Sequence, residues 1–101
     1  MIPEKVLLRA VIVFPLRGRK VLLAKKVGKI GAGCWNGYGG GIESGETAVD
    51  AAIRELFEES RLRARADDLE KVAVIAFHNQ KTDGTFFTCE CHVFVLRTFQ
   101  G

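Results

Sequence analysis

An α/β domain is what this 101-residue sequence predicts, and three observations carry that expectation. Segments rich in Val, Ile, Leu and Phe recur at strand length: Lys5 to Pro15, Lys20 to Lys26, Glu70 to Gln80 and Thr85 to Thr98. Between the second and third lies one helical pattern, Thr47 to Ser60. The two are joined by a run of glycines that ends in Gly39-Gly40-Gly41.

The first strand ends at Pro15, and Arg17-Gly18-Arg19 is a tight turn. So short a connection predicts that Lys20 to Lys26 pairs antiparallel with the first strand. Lys29 to Asn36 reads as an exposed loop in which Trp35 is an anchor and Asn36 offers both a donor and an acceptor able to read a purine edge. Gly37, Gly39, Gly40, Gly41 and Gly45 extend the loop, and each permits positive φ and close backbone approach to a ligand.

Thr47 is a good N-cap, and Asp50 three residues on completes a capping box. At about 100° per residue, Val49, Ala52, Ile53 and Leu56 share one face, which predicts a helix laid on a core. Arg61, Arg63 and Arg65 then alternate in a charged connection. Asp83-Gly84 is a hairpin turn signal between the last two strands. In the final strand Phe87, Cys89, Cys91, Val93 and Val95 fall on one face, with Phe86, Thr88, Glu90, His92 and Phe94 on the other.

Composition narrows the function classes. With 48% hydrophobic and 27% charged residues the chain resembles an ordinary globular domain. Its longest apolar runs are strand-sized, far short of the roughly 20 residues of a membrane helix. Met1 to Lys5 leads straight into a strand-like segment with no signal-peptide pattern, so the expected location is the cytoplasm. Three cysteines make no disulfide framework; Cys89 and Cys91, two apart on a strand, point to one face, where a buried thiol behaves as a small hydrophobe. A net charge of +3 is too small to argue for duplex nucleic acid. Arg17, Arg19, Lys20, Lys25, Lys26 and Lys29 gather before the glycine loop, mostly as a solvated hairpin edge. His78 and His92 read as packing or edge residues without a nucleophile placed near them.

The chemistry lies on the helix. Glu55, Glu58 and Glu59, spaced i, i+3 and i+4, gather three carboxylates into an arc of roughly 100° with no lysine interleaved. A hard divalent cation relieves such crowding, and Mg²⁺ takes oxygen ligands that it shares with water and substrate phosphates. On the triad alone a solvated acidic face is the better reading.

The surrounding pattern changes that balance, because it resembles the Nudix box, G-x5-E-x7-R-E-U-x-E-E-x-G-U with U aliphatic. Gly40, Glu46, Arg54, Glu55, Leu56, Glu58, Glu59 and Leu62 are in register, a match expected by chance on the order of once in 10⁵. The departure is Arg61, where the family has a glycine in the left-handed conformation; a side chain there costs about 1 kcal/mol. The run Gly31 to Gly40 is similar to that of the MutT-type branch, the oxidised-purine nucleoside triphosphate diphosphatases.

The resemblance implies an α/β/α sandwich around a mixed sheet, and a pyrophosphohydrolase that releases a nucleoside monophosphate and pyrophosphate. It implies Mg²⁺, with Mn²⁺ as an alternative, held by Glu55, Glu58, Glu59 and the Gly39 carbonyl. It implies that Arg54 and Glu46 brace the loop against the helix, that Glu55 or Glu58 serves as base, that Lys26 and Asn36 contact the nucleoside of a small nucleotide substrate, and that Phe77 lines its base pocket. Dinucleoside polyphosphates, nucleotide sugars and capped RNA ends are alternative substrates, and a nucleotide-binding module without turnover is the reading from a different class. The family's sheet is followed by a further strand and a second long helix, so residues 1 to 101 are expected to form a single domain lacking its C-terminal helix layer. One apolar sheet face would then be open, and self-association through it is the expected consequence.

Overall fold

The computed structural model describes residues 5–25, 35–80, 83–84 and 86–101. Strand β1 (Lys5–Arg17) is the axis of a five-stranded mixed sheet. On one side it runs parallel to β7 (Phe86–Leu96), which sets Val11 beside His92 and Val13 beside Phe94. β7 pairs antiparallel with β6 (Leu69–Gln80), which forms the far edge. A parallel neighbour needs a long crossover; helix α1 (Ala48–Ser60) lies within the one between β1 and β7.

The other side of β1 is shared, and this overturns two expectations. β2 (Lys20–Val21) makes the predicted antiparallel hairpin at Leu16 and Arg17, but pairing stops there. From Ala10 to Val13 the same edge is occupied by β5 (Tyr38–Gly41). The chain therefore leaves β1, and instead of one strand over Lys20 to Lys26 it forms β3 (Ala24–Lys25), paired with β4 (Trp35–Asn36) in a separate two-stranded sheet.

Gly39 to Gly41, expected as loop, are strand. Among the described glycines of the expected loop only Gly45 has a positive φ, 84°. Gly39 is needed for closeness: a Cβ there would overlap the Val11 carbonyl oxygen of the neighbouring strand.

Val11, Val13 and Pro15 alternate along β1 and are buried. With Phe94 and Leu96 of β7 they form the floor on which α1 lies. The helix presents Ala51, Ala52 and Leu56, all 0% exposed. The expected stripe is thus shifted by one position: Ala51 is buried, whereas Ile53 is only half-buried. Two alanines at the contact let the helix axis approach the sheet. Leu56 plugs the space, and burying such a side chain contributes about 1.5–3 kcal/mol. Leu56→Ala would cost about 2–5 kcal/mol.

The opposite face of the sheet carries Cys89, Cys91, Val93 and Val95, half-buried, together with Ile75 and Phe77, 42% and 49% exposed. The two thiols are therefore less covered than expected. His92 and Thr88 lie on the helix side and are buried; His92 Nε2 is 2.7 Å from Glu90 Oε1. Among the described residues α1 is the one α-helix, and no helix is long and apolar enough to cross a membrane.

Candidate active site

The helix that carries the glutamates is launched as its sequence dictates. Thr47 Oγ1 accepts from the Asp50 N–H at 3.1 Å, and Asp50 Oδ2 accepts from the Thr47 N–H at 3.3 Å. That reciprocal pair satisfies two orphan donors of the first turn. Behind it, Glu43 N–H donates to Glu46 Oε1 at 2.9 Å, so the loop closes on itself before the helix begins.

Arg54 is the hub. Its Nε donates to Glu46 Oε2 at 2.7 Å and its Nη2 to Glu46 Oε1 at 2.9 Å, a two-pronged grip. Nη2 also donates to the Gly41 carbonyl at 3.0 Å. Nη1 donates to Glu55 Oε1 at 2.7 Å and reaches Glu58 Oε2 at 3.4 Å. One guanidinium thereby ties the loop, the end of β5 and the helix together. The Arg54 donors, with the Glu43 N–H, hold the Glu46 carboxyl down at about 2. The same bonds raise Arg54 above its ordinary value, Glu46 first and Glu55 second.

β5 lies against the helix through its glycines. A Cβ on Gly40 would stand 2.6 Å from the Glu55 carboxylate, so the bare backbone there makes the room that Glu55 occupies. Gly39 N–H donates to Glu59 Oε1 at 2.7 Å. Gly39, Arg54, Glu55, Glu58 and Glu59, all singled out in the sequence, are brought together here. Phe77 is on β6, opposite Cys89. Asn36 is in β4, opposite Ala24. Lys26 and the side chain of Asn36 lie outside the described residues.

Sequence reasoning missed Glu43, whose carboxylate is 3.8 Å from Arg54 Nη1, and the structural use of the Gly41 carbonyl. The spacing of Glu43 and Glu46 around Gly45 was the available signal for the first. The second had none, because a backbone acceptor leaves no trace in residue identity.

Four carboxylates, Glu43, Glu46, Glu55 and Glu58, thus surround one guanidinium, and a fifth, Glu59, is held beside them by the Gly39 N–H. Among the described residues no three His, Cys, Asp or Glu side chains converge as closely as metal ligands do. Each carboxylate has turned to its nearest donor: Glu55 to Arg54, Glu59 to the Gly39 N–H. Glu58 and Glu59 are exposed, so re-orienting them costs little. The donor set, hard oxygens in excess of positive charge, fits a hard divalent cation.

Comparison with known proteins decides the family. The model of the NUDIX domain matches residues 6–101. This chain belongs to the Nudix family. It is 48% identical over 66 residues to the oxidized purine nucleoside triphosphate hydrolase of Mus musculus, covering 65% of this chain and 41% of the mouse protein. To the protein of the same name from Danio rerio it is 40% identical over 101 residues, covering 100% of this chain and 60% of the fish protein. The Nudix chain described here therefore spans less than two thirds of the length of these curated relatives. Among solved structures, a MutT NUDIX hydrolase from Burkholderia pseudomallei superposes with a TM-score of 0.81 at 22% identity, covering 98% of this chain and 71% of that one. A MutT protein from Bacillus halodurans gives 0.77 at 22% identity, covering 94% and 59%. The fold of the Nudix family, a mixed sheet with the box helix on one face, is thus the fold of this chain.

Proposed function

We propose that this Nudix chain carries a divalent-cation-dependent pyrophosphohydrolase that cleaves nucleoside triphosphates, oxidised purine ones such as 8-oxo-dGTP foremost, to the monophosphate and pyrophosphate. The observation that carries this reading is the cluster of five carboxylates beside the glycine strand β5, four of them in contact with Arg54 and Glu59 bonded to the Gly39 N–H. The activity for which the mouse and zebrafish relatives are named supports the choice of substrate.

In this reading Glu55, Glu58, Glu59 and the Gly39 carbonyl hold Mg²⁺, with Mn²⁺ able to replace it. The bound cation supplies charge neutralisation on the polyphosphate and acidifies a water for in-line attack. Arg54 fixes where the glutamates stand: its Nη1 bond orients Glu55, its two bonds to Glu46 hold the loop, and its Nη2 bond to the Gly41 carbonyl ties the helix flank to β5. Gly40, with no side chain, lets the polyphosphate and Glu55 share the space beside the strand. Glu55 or Glu58 takes the proton of the attacking water. Lys26, Asn36 and Phe77 contact the nucleoside, Phe77 by lining the base pocket.

The test is substrate profiling with and without Mg²⁺, with all products separated by chromatography and pyrophosphate measured beside the nucleotides. The expected result is cation-dependent pyrophosphate release from 8-oxo-dGTP in preference to dGTP. Preferred cleavage of ADP-ribose or a dinucleoside polyphosphate would overturn the substrate. Binding of nucleotide without turnover on any of them would overturn the reaction.

A further inference from the structure

Arg54 Nη1 faces more acceptors than it can serve well. Three carboxylates approach it: Glu55 at 2.7 Å, Glu58 at 3.4 Å and Glu43 at 3.8 Å. The rest of the guanidinium is committed, Nε to Glu46 and Nη2 to Glu46 and the Gly41 carbonyl. The two closer partners of Nη1, Glu55 and Glu58, are the carboxylates assigned above to the cation. Each one that turns to a cation takes an acceptor away from Nη1. Arg54 is only 23% exposed, and a largely covered charged donor left without an acceptor is unfavourable.

Glu43 has a fixed base and a free head. Its N–H donates to Glu46 Oε1 at 2.9 Å and its carbonyl accepts from the Glu46 N–H at 3.0 Å, so its backbone is pinned to the residue that Arg54 grips. Its side chain is 69% exposed, and at 3.8 Å it pairs with Nη1 by charge alone, without a hydrogen bond. We propose that Glu43 is a positioning residue for the cation site: it takes the Nη1 donor that Glu58 and Glu55 release, and so keeps Arg54 and the loop in place. Glu43 acts through Arg54 and touches neither cation nor substrate. The role rests on the cation-dependent reading above. Without cation, Nη1 already has two closer partners and Glu43 adds little; with cation it becomes the replacement. A group that favours the bound arrangement over the free one raises affinity by that difference.

The test is Glu43→Gln beside the wild type, with calorimetric Mg²⁺ titration, thermal melts without Mg²⁺, and NMR of proton exchange at the Arg54 guanidinium with and without Mg²⁺. E43Q should melt with the wild type when Mg²⁺ is absent. It should bind Mg²⁺ roughly two- to fivefold more weakly, the worth of one exposed ion pair. The Arg54 Nη1 hydrogens should stay protected in the Mg²⁺-bound wild type and exchange faster in Mg²⁺-bound E43Q. Loss of one negative charge near the cation would weaken Mg²⁺ binding too, but would leave those hydrogens unchanged, so equal exchange in the two proteins overturns the role. Equal Mg²⁺ affinity overturns it as well. A wild type that binds no Mg²⁺ overturns the functional reading itself, which is a different failure. If E43Q does not fold, the wild type decides alone: Nη1 hydrogens that lose protection when Mg²⁺ binds have found no replacement partner, and the proposal falls.

Discussion

Arg54 holds Glu46 through two parallel hydrogen bonds of 2.7 and 2.9 Å, tying the loop that turns at Gly45 to the helix. The bond pattern has a pH signature. The folded carboxyl titrates at about 2 against an ordinary 4.5, because Arg54 and the Glu43 N–H favour its charged form. A depressed folded value means that the stabilisation is present above the ordinary value and is lost as pH falls from 4.5 towards 2. Thermal melts over that window should therefore fall more steeply for the wild type than for Glu46→Gln. Parallel curves would remove the ion pair from the stability of the loop.

Gly39 and Gly40 are neighbours on β5, yet alanine should act differently at each. At Gly39 the added carbon meets the Val11 carbonyl oxygen, backbone on backbone, so β5 has to separate from β1. Gly39→Ala should cost several kcal/mol, in the range of severe overpacking. At Gly40 it meets the end of the Glu55 side chain, which can swing away. Gly40→Ala should melt close to the wild type and lose turnover by displacing Glu55. Equal melting temperatures for the two variants would contradict the strand geometry.

What was legible in the sequence was what is local. The capping box at Thr47 and Asp50, the helix that follows, and the hairpin at Asp83-Gly84 each rest on residues within a few positions of one another. The box glutamates and Arg54 were also legible, since a helix fixes their spacing. Competition was not. Whether Lys20 to Lys26 or the glycines take the free edge of β1 depends on which fits against Ala10 to Val13, and that is a property of the pair. Glycines read as turn residues when they are seen alone; here Gly39 and Gly40 are strand residues chosen for the absence of a side chain. The helix stripe missed Ala51 because small residues at a close contact carry little hydrophobic signal.

Glu58 separates chemistry from folding. Its side chain is 56% exposed and touches Arg54 only at 3.4 Å, so Glu58→Gln should leave the melting temperature unchanged. If it holds the cation or takes the proton of the attacking water, kcat should fall by roughly 10²–10⁴-fold. Calorimetric titration with Mg²⁺ divides the two roles: weakened Mg²⁺ binding marks a ligand, unchanged binding marks a base. Near-normal kcat would exclude Glu58 from both.

Arg61 is the place where this chain departs from its family, and the structure puts it where the glycine would be. It is the described non-glycine residue with positive φ, 64°, and its N–H caps the helix by donating to the Phe57 carbonyl at 2.8 Å. The guanidinium returns over the Phe57 ring at 5.3 Å, a cation–π contact that offsets part of the strain. An exposed contact of this kind contributes about 0.5–1 kcal/mol, while the left-handed conformation costs a non-glycine residue roughly 1–2 kcal/mol. Strain should win narrowly. Arg61→Gly should therefore raise the melting temperature by a few degrees, as about 0.5 kcal/mol does in a domain of this size. Arg61→Ala, which keeps the strain and loses the ring contact, should lower it. A glycine variant that melts below the alanine variant would mean that the guanidinium, through Phe57, holds the helix exit more firmly than the backbone strains it.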